Sequence, residues 1–205
     1  MVEDKFDKVK FVEAASIFRV RLKQEEMLAE LTMKAMSCLS DAAVSLVATT
    51  KDNTQADGGP LLTAQISDTS VQIEGGGRNI LLTPAHGSGL DLRLPRPRSQ
   101  ACGQILVFGH LTGHEETSLL SSFRIYSDGL CTDGESTWNL EEGNNRFLNY
   151  LGHLVQTAIF DCELSWPELN NLPPYLQKLT VADLAAHQES LRKPCVGFEC
   201  ALKKH

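Results

Sequence analysis

From residue 8 to residue 48 apolar side chains recur at helical spacing, in two phases rather than one. Met27, Leu28, Leu31, Ala35, Leu39, Ala42 and Leu46 make one continuous stripe. Phe11, Ala15, Phe18 and Leu22 make another, and the heptad positions that continue it fall on Glu25 and Thr32. The pattern predicts one long helix, or two joined near Gln24–Glu26. No glycine or proline occurs among residues 1–57, so nothing in that stretch interrupts a helix. A helix of such length spans roughly 60 Å, more than a small sheet can cover. Either both stripes pack on the sheet, or Phe11–Leu22 projects and pairs with a partner or a second copy.

The pattern then changes period. Thirteen of the 15 glycines fall between Gly58 and Gly143, separating short β-branched and leucine-rich runs. After a polar connector at 51–60, Leu62, Ala64 and Ile66 alternate with polar residues, and the phase resets across Ser67–Ser70 into Val71 and Ile73. Glu74–Arg78 turns the chain into Ile80–Thr83. Leu90, Leu92 and Leu94 alternate with Asp91 and Arg93, which predicts a half-exposed strand. Ile105–Phe108 is apolar on both faces and predicts the most buried strand. Phe123 and Ile125 follow, with Asp128-Gly129 and Asp133-Gly134 as tight-turn signals. Short loops between such strands favour an antiparallel meander.

Helical spacing returns after Trp138. Phe147, Leu148, Leu151, Leu154, Val155, Ala158, Ile159 and Cys162 form a regular apolar face, with Asn144 or Asn145 available as N-cap. Ser165–Glu168 and Thr180–Asp183 have the form of capping boxes, the second opening a helix over 181–192 that Pro194 stops. The fold predicted is therefore α+β: a helical arm (1–50), a polar linker (51–60), an α+β domain (61–193) and a tail (194–205). Within the domain, a sheet of five to seven mostly antiparallel strands (61–140) carries C-terminal helices (144–193) packed on one face.

Composition narrows the chemistry. A net charge of −7 opposes general binding to nucleic acid or acidic membranes. The first residues carry charges with no apolar core behind them, and no unbroken run of about 18 apolar residues occurs. The six cysteines are scattered without a CxxC pair, the pattern of reduced cytosolic thiols rather than a disulfide framework. A cytoplasmic protein without membrane contact is expected.

Three groups of residues are candidates for a site. His110, His114 and Glu115 crowd one strand end, and His86 lies in an earlier loop. If the strand over 90–94 is counted, those loops share one end of the meander, and the imidazoles and carboxylate suit zinc or iron. Cys195, Cys200 and His205, with His187 upstream, form a looser set. Arg93, Arg96 and Arg98 interleave with Pro95 and Pro97, presenting forked donors to carboxylate or phosphate. The triple glycine after Glu74 joins two strands instead of opening a helix, and His86–Gly89 lacks the setting of a nucleophile elbow. No catalytic signature stands, and no cofactor is expected unless the histidines hold a metal. The function expected is a non-catalytic protein-binding module: an adaptor, a chaperone-like factor or an inhibitor. It would act through Phe11, Phe18, Leu22 and the arginines, by binding another protein or by oligomerisation. The alternative is a metal-dependent hydrolase built on His86, His110, His114 and Glu115.

Overall fold

A computed structural model describes residues 8–53, 61–85, 92, 101–161 and 179–192. One uninterrupted helix, α1, runs Lys8–Asn53, so the change of stripe phase near Gln24–Glu26 does not break it. It takes in the first three residues of the expected linker. Seven strands follow: β1 (Thr63–Ser67), β2 (Ser70–Gly75), β3 (Arg78–Pro84), β4 (Cys102–Leu111), β5 (Ser118–Tyr126), β6 (Leu130–Thr132) and β7 (Thr137–Asn139). They lie side by side in chain order, every pair antiparallel. Helix α2 (Gly143–Val155) runs on into a π turn at Gln156–Phe160, and α3 occupies Val181–Arg192. This is the α+β architecture the sequence predicts, with the upper number of strands.

The turns follow the sequence signals. Gly129 and Gly134 take φ of 81° and 100°, left-handed values that the two Asp-Gly dipeptides supply. The cap of α2 departs from expectation, because the helix opens one residue before Asn144 and Glu142 makes no side-chain cap. The local bond comes instead from Asn139, whose Oδ1 accepts the Glu141 N–H at 2.9 Å in the 3-10 turn leading into α2. The Thr180–Asp183 box forms as read. The Asp183 N–H donates to Thr180 Oγ1 (3.2 Å) and the Thr180 N–H to Asp183 Oδ2 (2.9 Å). Those bonds, backbone first, hold the Asp183 carboxyl below its ordinary pKa.

The first face of the sheet is covered by α1 and α2. Alternate residues of the strands, among them Ile73, Ile80, Leu82, Ile105 and Phe123, pack on Ala35, Met36, Leu39, Phe147 and Leu151. Alanines at 35, 42 and 43 keep α1 close to the strands. At Gly103 the approach is so tight that a side chain there would strike Thr32. An 18-residue window in α1 reaches a mean hydropathy of 1.3, enough by length and composition to cross a membrane, yet a third of it is buried within this fold. The half that meets the sheet also carries Lys34 and Asp41.

The second face has its own core. Leu81, Leu106, Phe108 and Leu119 meet Leu92, Leu179 and Leu184. The expected single helical layer is thus divided, with α2 on one face and α3 on the other. A bulge between β4 and β5 fixes how β5 contributes to the two cores: Phe108 pairs with Leu119 and Val107 with Ser121, so Leu120 is the extra residue. Leu119 therefore enters the second core and Leu120 the first.

Among the described residues no strand lies between β3 and β4, where the sequence predicts one at 90–94. Leu92, the described residue of 90–94, is fully buried but lies outside any strand, its N–H donating to the Ala85 carbonyl at 3.0 Å. Strand β3 pairs directly with β4, Pro84 against Ile105. The predicted tail (194–205) and the capping box at 165–168 lie outside the described residues.

Candidate functional site

The arm is defined by a change in burial along one helix. From Leu28 onward α1 has a buried side, with Leu28, Ala35, Met36, Leu39, Ala42 and Ala43 all below one-tenth exposure. Before Leu28 the same helix leaves the sheet. Phe11 is 61% exposed and Phe18 55%, with Ile17 and Val20 in the same state, while Ala15 and Leu22 are half-buried. An exposed phenylalanine is unremarkable singly, but here large apolar groups recur along about 15 Å of helix, at Phe11, Ile17, Phe18 and Val20. Of the residues singled out from sequence, Phe11, Phe18 and Leu22 stand together as one stripe.

Where α1 lifts off, a cleft of about 390 Å³ opens beneath it. Leu28, Thr32 and Met33 form its roof, Thr69 and Cys102–Gln104 its floor, and Arg21, Gln24 and Glu25 its outer rim. The residues flanking the arginine segment, Leu92 and Ala101, sit at this end of the sheet. Arg93, Arg96 and Arg98 themselves lie outside the described residues.

The histidines are arranged differently from the expectation. Because β3 pairs with β4, the connection after Ala85 leaves one end of the sheet and the loop after Leu111 leaves the other. About seven residues of strand, roughly 23 Å, separate Gln104, which bonds Ala85, from Leu111. With β4 paired directly to β3, the sheet has one reversal of direction fewer there than the expected meander, which inverts the end at which each later loop falls. His86 lies outside the described residues, but its neighbour Ala85 is at the far end from His114. Among the described residues no group of three or more histidine, cysteine, aspartate or glutamate side chains is placed to hold a metal ion.

What surrounds His110 is a row of polar groups across three strands. Glu74, Asn79 and His110 are register partners on β2, β3 and β4. The buried Asn79 accepts from Gln72 Nε2 at 3.3 Å and donates from Nδ2 to Thr112 Oγ1 at 3.0 Å. The Nδ1 of His110 has no hydrogen-bond partner among the described residues, and burial pushes its pKa down against the opposing pull of Glu74. The sequence named His110 but not Glu74, Gln72 or Asn79, since only the strand register joins them.

His114 and Glu115 are exposed, and their loop docks α3. The Glu115 carbonyl accepts the Val181 N–H at 3.0 Å, and Thr117 Oγ1 donates to the Leu179 carbonyl at 2.7 Å. His187 serves the same docking: it is buried, with Nε2 at 2.8 Å from the Pro84 carbonyl. Its proposed companions Cys195, Cys200 and His205 lie outside the described residues. Cys38, Cys102 and Cys131 are free thiols, outside any disulfide. Burial first, then the adjacent Cys38, pushes Cys131 up to about 11, so it behaves as a small apolar group rather than a nucleophile.

No protein-family model matches the chain, and neither a curated protein nor a solved structure matches it. The fold and the arm are therefore the ground on which a function is argued.

Proposed function

We propose that this protein is a non-catalytic, protein-binding module of the cytoplasm, acting as an adaptor, chaperone-like factor or inhibitor. One observation carries the reading: α1 is a single helix whose second half is buried on its own sheet while its first half presents Phe18, Ile17 and Val20 to solvent. A helix anchored at one end and apolar at the other is suited to lie in the groove of a partner or against a partner helix. The sheet supports this in two ways. It clamps the base of the arm through Gly103 and Thr32, and it offers the edge strand β1, on which Ile66 is exposed.

Replacing Phe18 by Glu tests the reading. A carboxylate forced into an apolar seam costs a few kcal/mol, so affinity for the partner should fall by about a hundredfold. Recovered gently from its own cells, the wild-type chain should migrate well above its 22.5 kDa mass, and the variant should migrate at it with unchanged thermal unfolding. A variant that unfolds would make the stripe part of the core. A variant that migrates with the wild type would remove the arm as the binding surface.

A further inference from the structure

The reading of the arm as a docking surface leaves its occupant open. Resting on that reading, we infer that the occupant is the arm of a second copy of this chain, lying antiparallel with Ala15 opposite Phe18 of the second copy. Phe11, Ala15, Phe18 and Leu22 are spaced four, three and four apart, the rhythm of a helix–helix seam. The next positions outward are Lys8 at one end and Glu25 at the other, both exposed. The stripe lies about a quarter turn around α1 from the side that faces the sheet. A helix seated on it runs beside the arm, clear of the arm's own sheet.

Direction follows from what each arrangement superposes. Antiparallel, Phe11 meets Leu22 of the second copy, Phe18 meets Ala15, and Lys8 faces Glu25 at both ends. Arg19 then flanks Val12 and Arg21 flanks Ala14, where the arginine stems cover apolar surface without meeting like charge. Parallel and in register, Phe18 would stack on Phe18 and Ala15 on Ala15. Lys8 would meet Lys8 and Glu25 would meet Glu25, placing like charges in the seam at both ends. The antiparallel pair also sets the two helix dipoles in opposition.

The length of the overlap fits the fold. Residues 8–25 lie wholly before Leu28, where α1 first becomes buried on its sheet, so the two sheets sit at opposite ends of the paired arms. The overlap is about 27 Å long, a small interface consistent with micromolar rather than nanomolar association. Each Glu25 also lines the cleft under its own α1, so the Lys8 of the second copy reaches the mouth of that cleft.

The test is sedimentation equilibrium of the purified full chain at low salt, from about 1 to 500 μM. The wild type should pass from monomer to dimer across that range. Lys8→Glu and Glu25→Lys should each weaken the dimer about tenfold, since each turns two attractive pairs into repulsive ones. The double variant K8E/E25K should return to within about twofold of wild type, because opposite charges again face each other. A double variant weaker than either single one would overturn the antiparallel register. A wild type that stays monomeric to 500 μM would overturn the second copy as occupant. In that case, an arm-dependent complex still lost in Phe18→Glu would leave the protein-binding reading intact, whereas no such complex would end both.

Discussion

Phe123→Ala should lower the unfolding free energy by about 3–5 kcal/mol, a large part of what holds a domain of this size together. Phe123 is 1% exposed and lies at the centre of an aromatic group joining three elements. Its ring meets Trp138 of β7 edge-on at 6.0 Å, Phe147 of α2 at 5.9 Å and Tyr150 of α2 at 4.2 Å. Trp138 and Phe147 touch each other as well, 5.7 Å apart. Removing the ring leaves a cavity bounded by rigid aromatics that have little freedom to collapse. Burial also holds the Tyr150 phenol far above its ordinary pKa. Phe123→Leu, which refills most of the volume, should cost less than half as much. Denaturant titration of the two variants checks the pair; a Phe123→Ala loss below about 1 kcal/mol would mean the ring is not the packing centre described.

Gly103→Val should destabilise by about 3 kcal/mol, although valine is by far the better strand former. The reason is the crossing of α1 over β4. A Cβ at residue 103 would collide with Thr32 Oγ1 and lie 3.3 Å from the Leu28 carbonyl, and the threonine hydroxyl is itself held to that carbonyl at 2.7 Å. The helix must lift to make room, uncovering Leu28, Ala35 and Leu39 behind it. Adding Thr32→Ala should recover part of the loss while the backbone contact retains the rest. That non-additivity is the signature of direct contact. A purely additive pair would place the helix elsewhere.

Much of this architecture is legible in the residues. The stretch free of glycine and proline, with its two stripes, reads correctly as a helix longer than its sheet, and the regular face from Phe147 to Ile159 reads as a covering helix. Leu90–Leu94 shows where such reading ends. Its alternation reports burial, and Leu92 is indeed buried, but alternation does not say which strand a segment pairs with. The β3 edge is taken by β4, and the count of reversals that places His86 beside His114 fails with it. Leu119 and Leu120 present the same difficulty in miniature: alternation sends two adjacent leucines to opposite faces, but the bulge beside them decides which core each one enters. The row of Glu74, Asn79 and His110 is invisible for a related reason, as its members are joined across strands and not along the chain. The change of stripe phase on the arm, by contrast, is visible in the sequence, and of the two arrangements it leaves open the structure has Phe11 and Phe18 exposed.

The most direct test of the two-part helix is amide hydrogen exchange along α1 as a function of protein concentration. In dilute solution, protection should be high over 28–47 and drop sharply before Leu28, since the first half of the helix has only its own turns to hold it. Raising the concentration, or adding the partner, should extend protection into residues 11–22 and leave the second half unchanged. Arm amides protected as strongly as those around Leu39 in dilute monomer, or indifferent to concentration and partner alike, would contradict the account.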